Sequence, residues 1–196
     1  MPFVFKRLAL FMSIAAAFAA DKEQAFHAPA AASMAHRQTV DKVTIGAETY
    51  VAGDKVRTAF GKLTPYDYGV LPVLVVIQND SSESIRLDQM NAEYVSPRGS
   101  RVTATPPGDV RFAKAPHRPD LGAAPPMPIP IKKKNPLGEW EIEGRALVAQ
   151  MVAPGQTASG FLYFETPLQN GATIYLSGLT EARSGKELFY FEIPLE

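Results

Sequence analysis

Between residues 39 and 51 (TVDKVTIGAETYV) apolar and polar positions alternate. Val43, Ile45 and Ala47 fall on one face, which is the two-residue period of a strand. The period then changes. In GDKVRTAFGK, Val56 and Phe60 are i,i+4 neighbours, Asp54 can cap and Gly61 can terminate, so a short helix is predicted over 55–60. From Val70 to Ile77 the chain is almost continuously apolar and rich in β-branched residues. That composition predicts a strand covered on both faces, pairing only after Pro72, which has no N–H for a ladder. Asn79-Asp80-Ser81-Ser82 is a turn cluster. Alternation resumes at Ile85 and Leu87, then at Ala92 and Tyr94 or Val95. SPRGS (96–100) reads as a hairpin turn returning into RVTAT.

The pattern breaks between 106 and 136, which holds nine of the chain's 17 prolines. APPMPIPIKKKNP is polyproline II in character, and the whole stretch reads as a long insertion. Residues 136–152 are expected to form a short helical piece followed by an extended run to Pro154. Three strands follow: SGFLYFE (159–165), ATIYLSG (172–178) and ELFYFEI (187–193), separated by TPLQNG and EARSG. About seven short strands with turn chemistry between them predict an all-β antiparallel sandwich with one or two short helices.

The N-terminus reads differently from the rest. Lys6 and Arg7 precede 12 uncharged residues, Leu8–Ala19, and Ala17-Phe18-Ala19 fits a small-x-small cleavage pattern. These are the parts of a secretory signal peptide over 1–19, with a mature chain beginning near Ala20. Twelve residues are too few to cross a hydrocarbon core, so no transmembrane segment is expected in the mature chain. Residues 20–38 are Ala-rich and aperiodic and read as a flexible leader. Residues 39–196 then form one domain carrying the insertion at 106–136. A periodic strand pattern behind an export signal places the protein in the periplasm or outside the cell.

Composition narrows the chemistry. Twenty basic and 20 acidic residues give no net charge, so nothing resembles the basic excess of a nucleic-acid binder. With no cysteine there is no disulfide, thiol nucleophile or thiolate metal site. Gly155 and Gly160 stand five apart with Thr157 and Ser159 between them, half a phosphate loop. Phe161 occupies the place of the required lysine, and a strand follows where a helix should, so the pair reads as a turn feeding a strand. His27, His36 and His117 lack metal-pair spacing. No G-x-S-x-G elbow occurs. Glu139, Glu141 and Glu143 would share one face of an extended chain, and Lys132-Lys133-Lys134 offers a basic tip to an acidic partner or membrane surface. Catalytic residue, metal ligand and cofactor are therefore all assigned as none. Phe161, Tyr163, Phe164, Phe189, Tyr190 and Phe191 pose the remaining question. Consecutive aromatics on a strand occupy both faces, and the face away from the core needs cover from the chain itself or from a partner.

VAPGQTASGFLYFETP resembles the turn-and-strand pattern of immunoglobulin-like extracellular domains of unknown function in bacterial exported proteins. Val152, Pro154, Gly155, Gly160, Phe161, Tyr163 and Phe164 carry one part of the likeness. Val73, Val75, Ile77, Asn79 and Ser81 carry the other. The resemblance implies an immunoglobulin-like β-sandwich acting as an exported interaction module on a protein or envelope component, and it brings no catalytic residues. The alternative is a hydrolase or carbohydrate-acting enzyme with a dispersed acidic site, which would need two carboxylates about 5–10 Å apart in a cleft.

Overall fold

The computed structural model describes residues 26–113, 135–138 and 140–195. The expected signal peptide and most of the proline-rich insertion lie outside these. Among the described residues the chain is mostly β, with eleven strands in three antiparallel sheets and two α-helices. The strands are β1 Arg37–Val40, β2 Val43–Thr49, β3 Leu71–Asn79, β4 Ile85–Arg86, β5 Asn91–Val95, β6 Arg101–Thr103, β7 Met151–Val152, β8 Thr157–Phe164, β9 Ala172–Ser177, β10 Thr180–Glu181 and β11 Phe191–Leu195. The helices are α1 Asp54–Phe60 and α2 Trp140–Gly144. No described helix is long and apolar enough to cross a membrane.

Sheet A has the order β1-β2-β3-β8, sheet C the order β11-β9-β5-β6, and a small sheet B the order β10-β4-β7. Sheets A and C share one apolar core. Val43, Ile45, Ala47, Val73, Val75 and Ile77 supply it from sheet A, and Ala92, Tyr94, Ile174, Leu176, Ile193 and Leu195 from sheet C. The alternation of β5, β9 and β11 matches this burial residue by residue, so each outward position of sheet C faces solvent.

The inner strands β2 and β3 of sheet A are buried on both faces, as the β3 composition requires. Leu74, Val76, Phe161 and Tyr163 point away from the shared core. They pack against Val56, Ala59 and Phe60 of α1, Ile142 of α2, and Val110, Leu137 and Ala146. A second core thus forms from the helices and the segments that flank the proline-rich region. Pro72 does sit inside the ladder, opposite Tyr163, and its carbonyl accepts the Tyr50 N–H at 3.0 Å. Proline lacks only the donor, so a position that uses the carbonyl alone accommodates it.

Four further expectations change. The expected single strand at 39–51 is the hairpin β1–β2, turning at Asp41 and Lys42 with φ of 48° and 65°. Asp-Lys is not a usual pair for two left-handed positions, so the turn carried little signal. Residues 31–38, read as part of a flexible leader, pack on sheet A. Ala31 and Met34 are buried, and β1 begins at Arg37. Gly46 makes room for Met34, whose side chain occupies the space a Cβ would take. Asp54 is the first residue of α1 rather than its cap; Gly53 precedes the helix and no side chain caps it. The last strand starts at Phe191, not Glu187. Leu188 turns into the core, and Phe189 and Tyr190 point outward.

Candidate functional site

Gly155 and Gly160 have different structural jobs. Pro154-Gly155 forms a turn with Gly155 at φ 71°, its N–H bonded to the Asn79 carbonyl at 2.7 Å. Gly160 lies mid-strand, where residues 145–147 run along β8. Phe161 N–H donates to the Arg145 carbonyl at 2.8 Å, and Leu147 N–H to the Phe161 carbonyl at 3.0 Å. A Cβ on Gly160 would meet the backbone of Ala146 and Leu147 closer than 3.0 Å. Absence of a side chain at Gly160 is therefore a packing requirement.

The turn cluster after β3 is a polar knot built on the fully buried side chain of Asn79. The Asn79 amide donates to the carbonyls of Glu83 at 2.8 Å and Val152 at 2.9 Å, and its oxygen accepts from the Ser81 N–H and hydroxyl at 3.0 and 2.6 Å. This one side chain ties the end of β3 to the next turn and to β7.

Other sequence candidates do not converge. His117 and the three lysines at 132–134 lie outside the described residues. Among the described residues no group of three or more His, Asp or Glu side chains is placed to hold a metal. Glu139 is outside the described residues, and Glu141 and Glu143 lie on a helix rather than an extended run, so they do not share the expected face. Glu141 is partly buried, with one carboxylate oxygen lacking a hydrogen-bond partner, and Glu143 is exposed.

The aromatics separate into two groups. Phe161 is enclosed by Tyr50, Phe60 and Phe26, with ring centroids 4.9, 4.7 and 5.5 Å away. Tyr163 donates its hydroxyl hydrogen to the Ile142 carbonyl at 2.8 Å. Burial drives its pKa far above the ordinary phenol value, opposed by the Arg145 guanidinium. Burial, with Glu48 nearby, raises Tyr50 to about 12. Phe164 faces the other core. The chain itself covers this first aromatic run.

The second run is not covered. Phe189 is 77% exposed and Tyr190 47%. The Tyr190 ring stacks on Tyr175 with centroids 5.1 Å apart, and the Arg101 guanidinium lies 4.8 Å from the Tyr175 centroid. Strand register explains the assembly. Glu192, Tyr175, Glu93 and Thr103 form one row across the outer face of sheet C, and Arg101 sits one row along. Arg101 is held there by Glu93 at 2.6 Å. A groove of about 290 Å³ opens beside the stack, lined by Tyr175, Ser177, Glu187, Leu188, Phe189 and Tyr190.

Tyr190 and Phe189 were among the aromatics flagged by their sequence. Tyr175 and Arg101 were not. The available signal was alternation in ATIYLSG, which buries Ile174 and Leu176 and so sends a large aromatic to the solvent face. Two further hollows are seen among the described residues. One of about 380 Å³ beside Met34 and His36 is bordered by the Glu48–Lys55 ion pair, which is 2.7 Å long. One of about 340 Å³ lies between Leu87, Met90 and Leu147–Gln150. Neither gathers aromatic faces and unpaired charge in one place.

No protein-family model matches the chain, and no curated protein matches it. Solved structures give loose similarities. A candidate lipoprotein from Bacillus subtilis is 14% identical over 81% of this chain and 38% of its own, with a TM-score of 0.40. The chain thus spans well under half the length of that protein. A structural-genomics target, SoR45, is 13% identical over 79% of this chain and 85% of its own, with a TM-score of 0.35. The archaellum periplasmic stator complex of FlaF and FlaG from Sulfolobus acidocaldarius gives 10% identity, 79% and 91% coverage, and a TM-score of 0.32. With these TM-scores below 0.5, function has to be argued from this chain's own residues.

Proposed function

We propose that this chain is a non-enzymatic binding module of the cell envelope, exported by its N-terminal segment and working in the periplasm or outside the cell. Its immunoglobulin-like character and its insertion at 106–136 belong to the same proposal. The contact surface is the outer face of sheet C around Tyr175, Phe189 and Tyr190. The observation that carries this reading is the contrast between two aromatic runs in one fold. Phe161 and Tyr163 are enclosed by helices, while Phe189 and Tyr190 are left in solvent beside a groove. Exposed large aromatics are costly to solubility, and clustered ones mark interaction sites.

Retention in the envelope tests it. The double variant Phe189→Ser/Tyr190→Ser removes the exposed rings without touching Leu188 or Phe191. The wild type should fractionate with envelope material after export, with a mature mass consistent with removal of residues 1–19, and the variant should be released while keeping the wild-type circular dichroism. Equal retention of a folded variant would refute the placement of the contact.

A further inference from the structure

We infer that the partner seated on this face presents a cationic side chain, a lysine or arginine. This deepens the proposed function and rests on it. The argument is charge complementarity on an aromatic surface. The cations near the groove are already engaged: Arg101 with Glu93 at 2.6 Å, and Lys186 with Asp41 at 2.8 Å and Glu181 at 4.0 Å. Two carboxylates are not. Glu187 lines the groove, and Glu192 stands directly across from Tyr175; among the described residues neither has a cation partner, and the Glu192 carboxylate accepts a hydrogen bond only from the Thr173 hydroxyl at 3.3 Å. The surface is therefore locally acidic on a chain that is neutral as a whole.

The stack itself shows what fits. Arg101 lies over one face of Tyr175, and Tyr190 extends the same stack outward with about half its surface in water. A guanidinium or ammonium on the Tyr190 ring would repeat the Arg101 arrangement, with Glu187 and Glu192 supplying carboxylate oxygens beside it. A neutral sugar could also stack on a ring, but it leaves both carboxylates uncompensated. A second copy of this face would place like charges together.

Binding by fluorescence anisotropy, on the chain spanning residues 20–196, tests the inference. The probes are a labelled hexa-arginine peptide, the same peptide with citrulline at every arginine, and chitohexaose as a competitor. The arginine peptide should saturate and weaken as salt rises, and the citrulline peptide should bind at least tenfold more weakly. Glu187→Gln/Glu192→Gln should weaken arginine-peptide binding about three- to thirtyfold, from two exposed ion pairs. Tyr190→Leu should weaken it about two- to fivefold. Glu143→Gln, at an exposed position of α2, should change nothing. The inference is overturned by equal binding of the citrulline peptide, by displacement with chitohexaose, or by an equal effect of Glu143→Gln. It also fails if the chain self-associates through Tyr190. Loss of envelope retention in Phe189→Ser/Tyr190→Ser without arginine-peptide binding would sink this inference and leave the binding-module reading standing.

Discussion

Replacing Gly160 with alanine adds one methyl group where the fold has no space. The new Cβ would stand 2.7 Å from the Ala146 carbonyl carbon and closer still to Leu147. Ordinary contact needs 3.4 Å or more. Residues 145–147 and β8 must separate by roughly 1 Å, a displacement a close-packed interior resists. That stretches the hydrogen bonds from Phe161 N–H to Arg145 and from Leu147 N–H to Phe161, now 2.8 and 3.0 Å long. Overpacking costs about 1–3 kcal/mol and each weakened bond about 1 kcal/mol, while leaving glycine returns at most about 1 kcal/mol. The net expected loss is about 2–4 kcal/mol. Gly155→Ala is the internal comparison. Nothing lies within 4 Å of its would-be Cβ, and only the left-handed φ of 71° is penalised, at about 1–2 kcal/mol. Urea denaturation followed by far-ultraviolet circular dichroism gives both numbers. If Gly160→Ala costs no more than Gly155→Ala, the account of this glycine is wrong.

Other consequences can be measured on the same material. Asn79→Ala strands the Glu83 and Val152 carbonyls and the Ser81 N–H, and should cost about 2–4 kcal/mol in urea denaturation; a loss below about 0.5 kcal/mol would contradict the knot. Tyr163→Phe leaves the Ile142 carbonyl without its hydroxyl donor and should cost about 1–2 kcal/mol with no change in shape. Alkaline pH should destabilise the fold through Tyr50. Its phenol ionises near 10 when unfolded and near 12 when folded, so the unfolded chain loses its proton first. The contribution is intact below pH 10 and falls away between pH 10 and 12, by about 2–3 kcal/mol. Unfolding midpoints across that window would detect it, and Tyr50→Phe should make the slope shallower by that amount, the remainder coming from Tyr163 and Tyr94, whose phenols burial also raises.

Sheet C was legible because burial in β5, β9 and β11 alternates as the sequence does. In sheet A, Val43, Ile45 and Ala47 face the shared core as their spacing implies, and β3, apolar throughout, is buried at nearly every position. The turn at Asn79–Ser81 was legible because short polar side chains bond their own backbone. Two features were not. The β1–β2 turn uses Asp-Lys, a pair with no strong turn signature. Residues 31–34 dock through Ala31 and Met34 into space made by Gly46, a long-range fit that no local window displays. The site was half legible. Aromatics at 189 and 190 could be flagged, but Tyr175 and Arg101 join them only through the register of β5, β6 and β9, which is set by pairing across the sheet.

The central claim is that the outer face of sheet C is the working surface. Photo-crosslinking resolves it most directly, with p-benzoylphenylalanine placed singly at Tyr190, at Phe112 and at Glu143, all at exposed sites, in the exported protein within its own envelope. The account predicts a discrete adduct at position 190 and none at 112 or 143. Adducts at 112 or 143 with none at 190 would contradict it, and would move the working surface to the helical side of the fold.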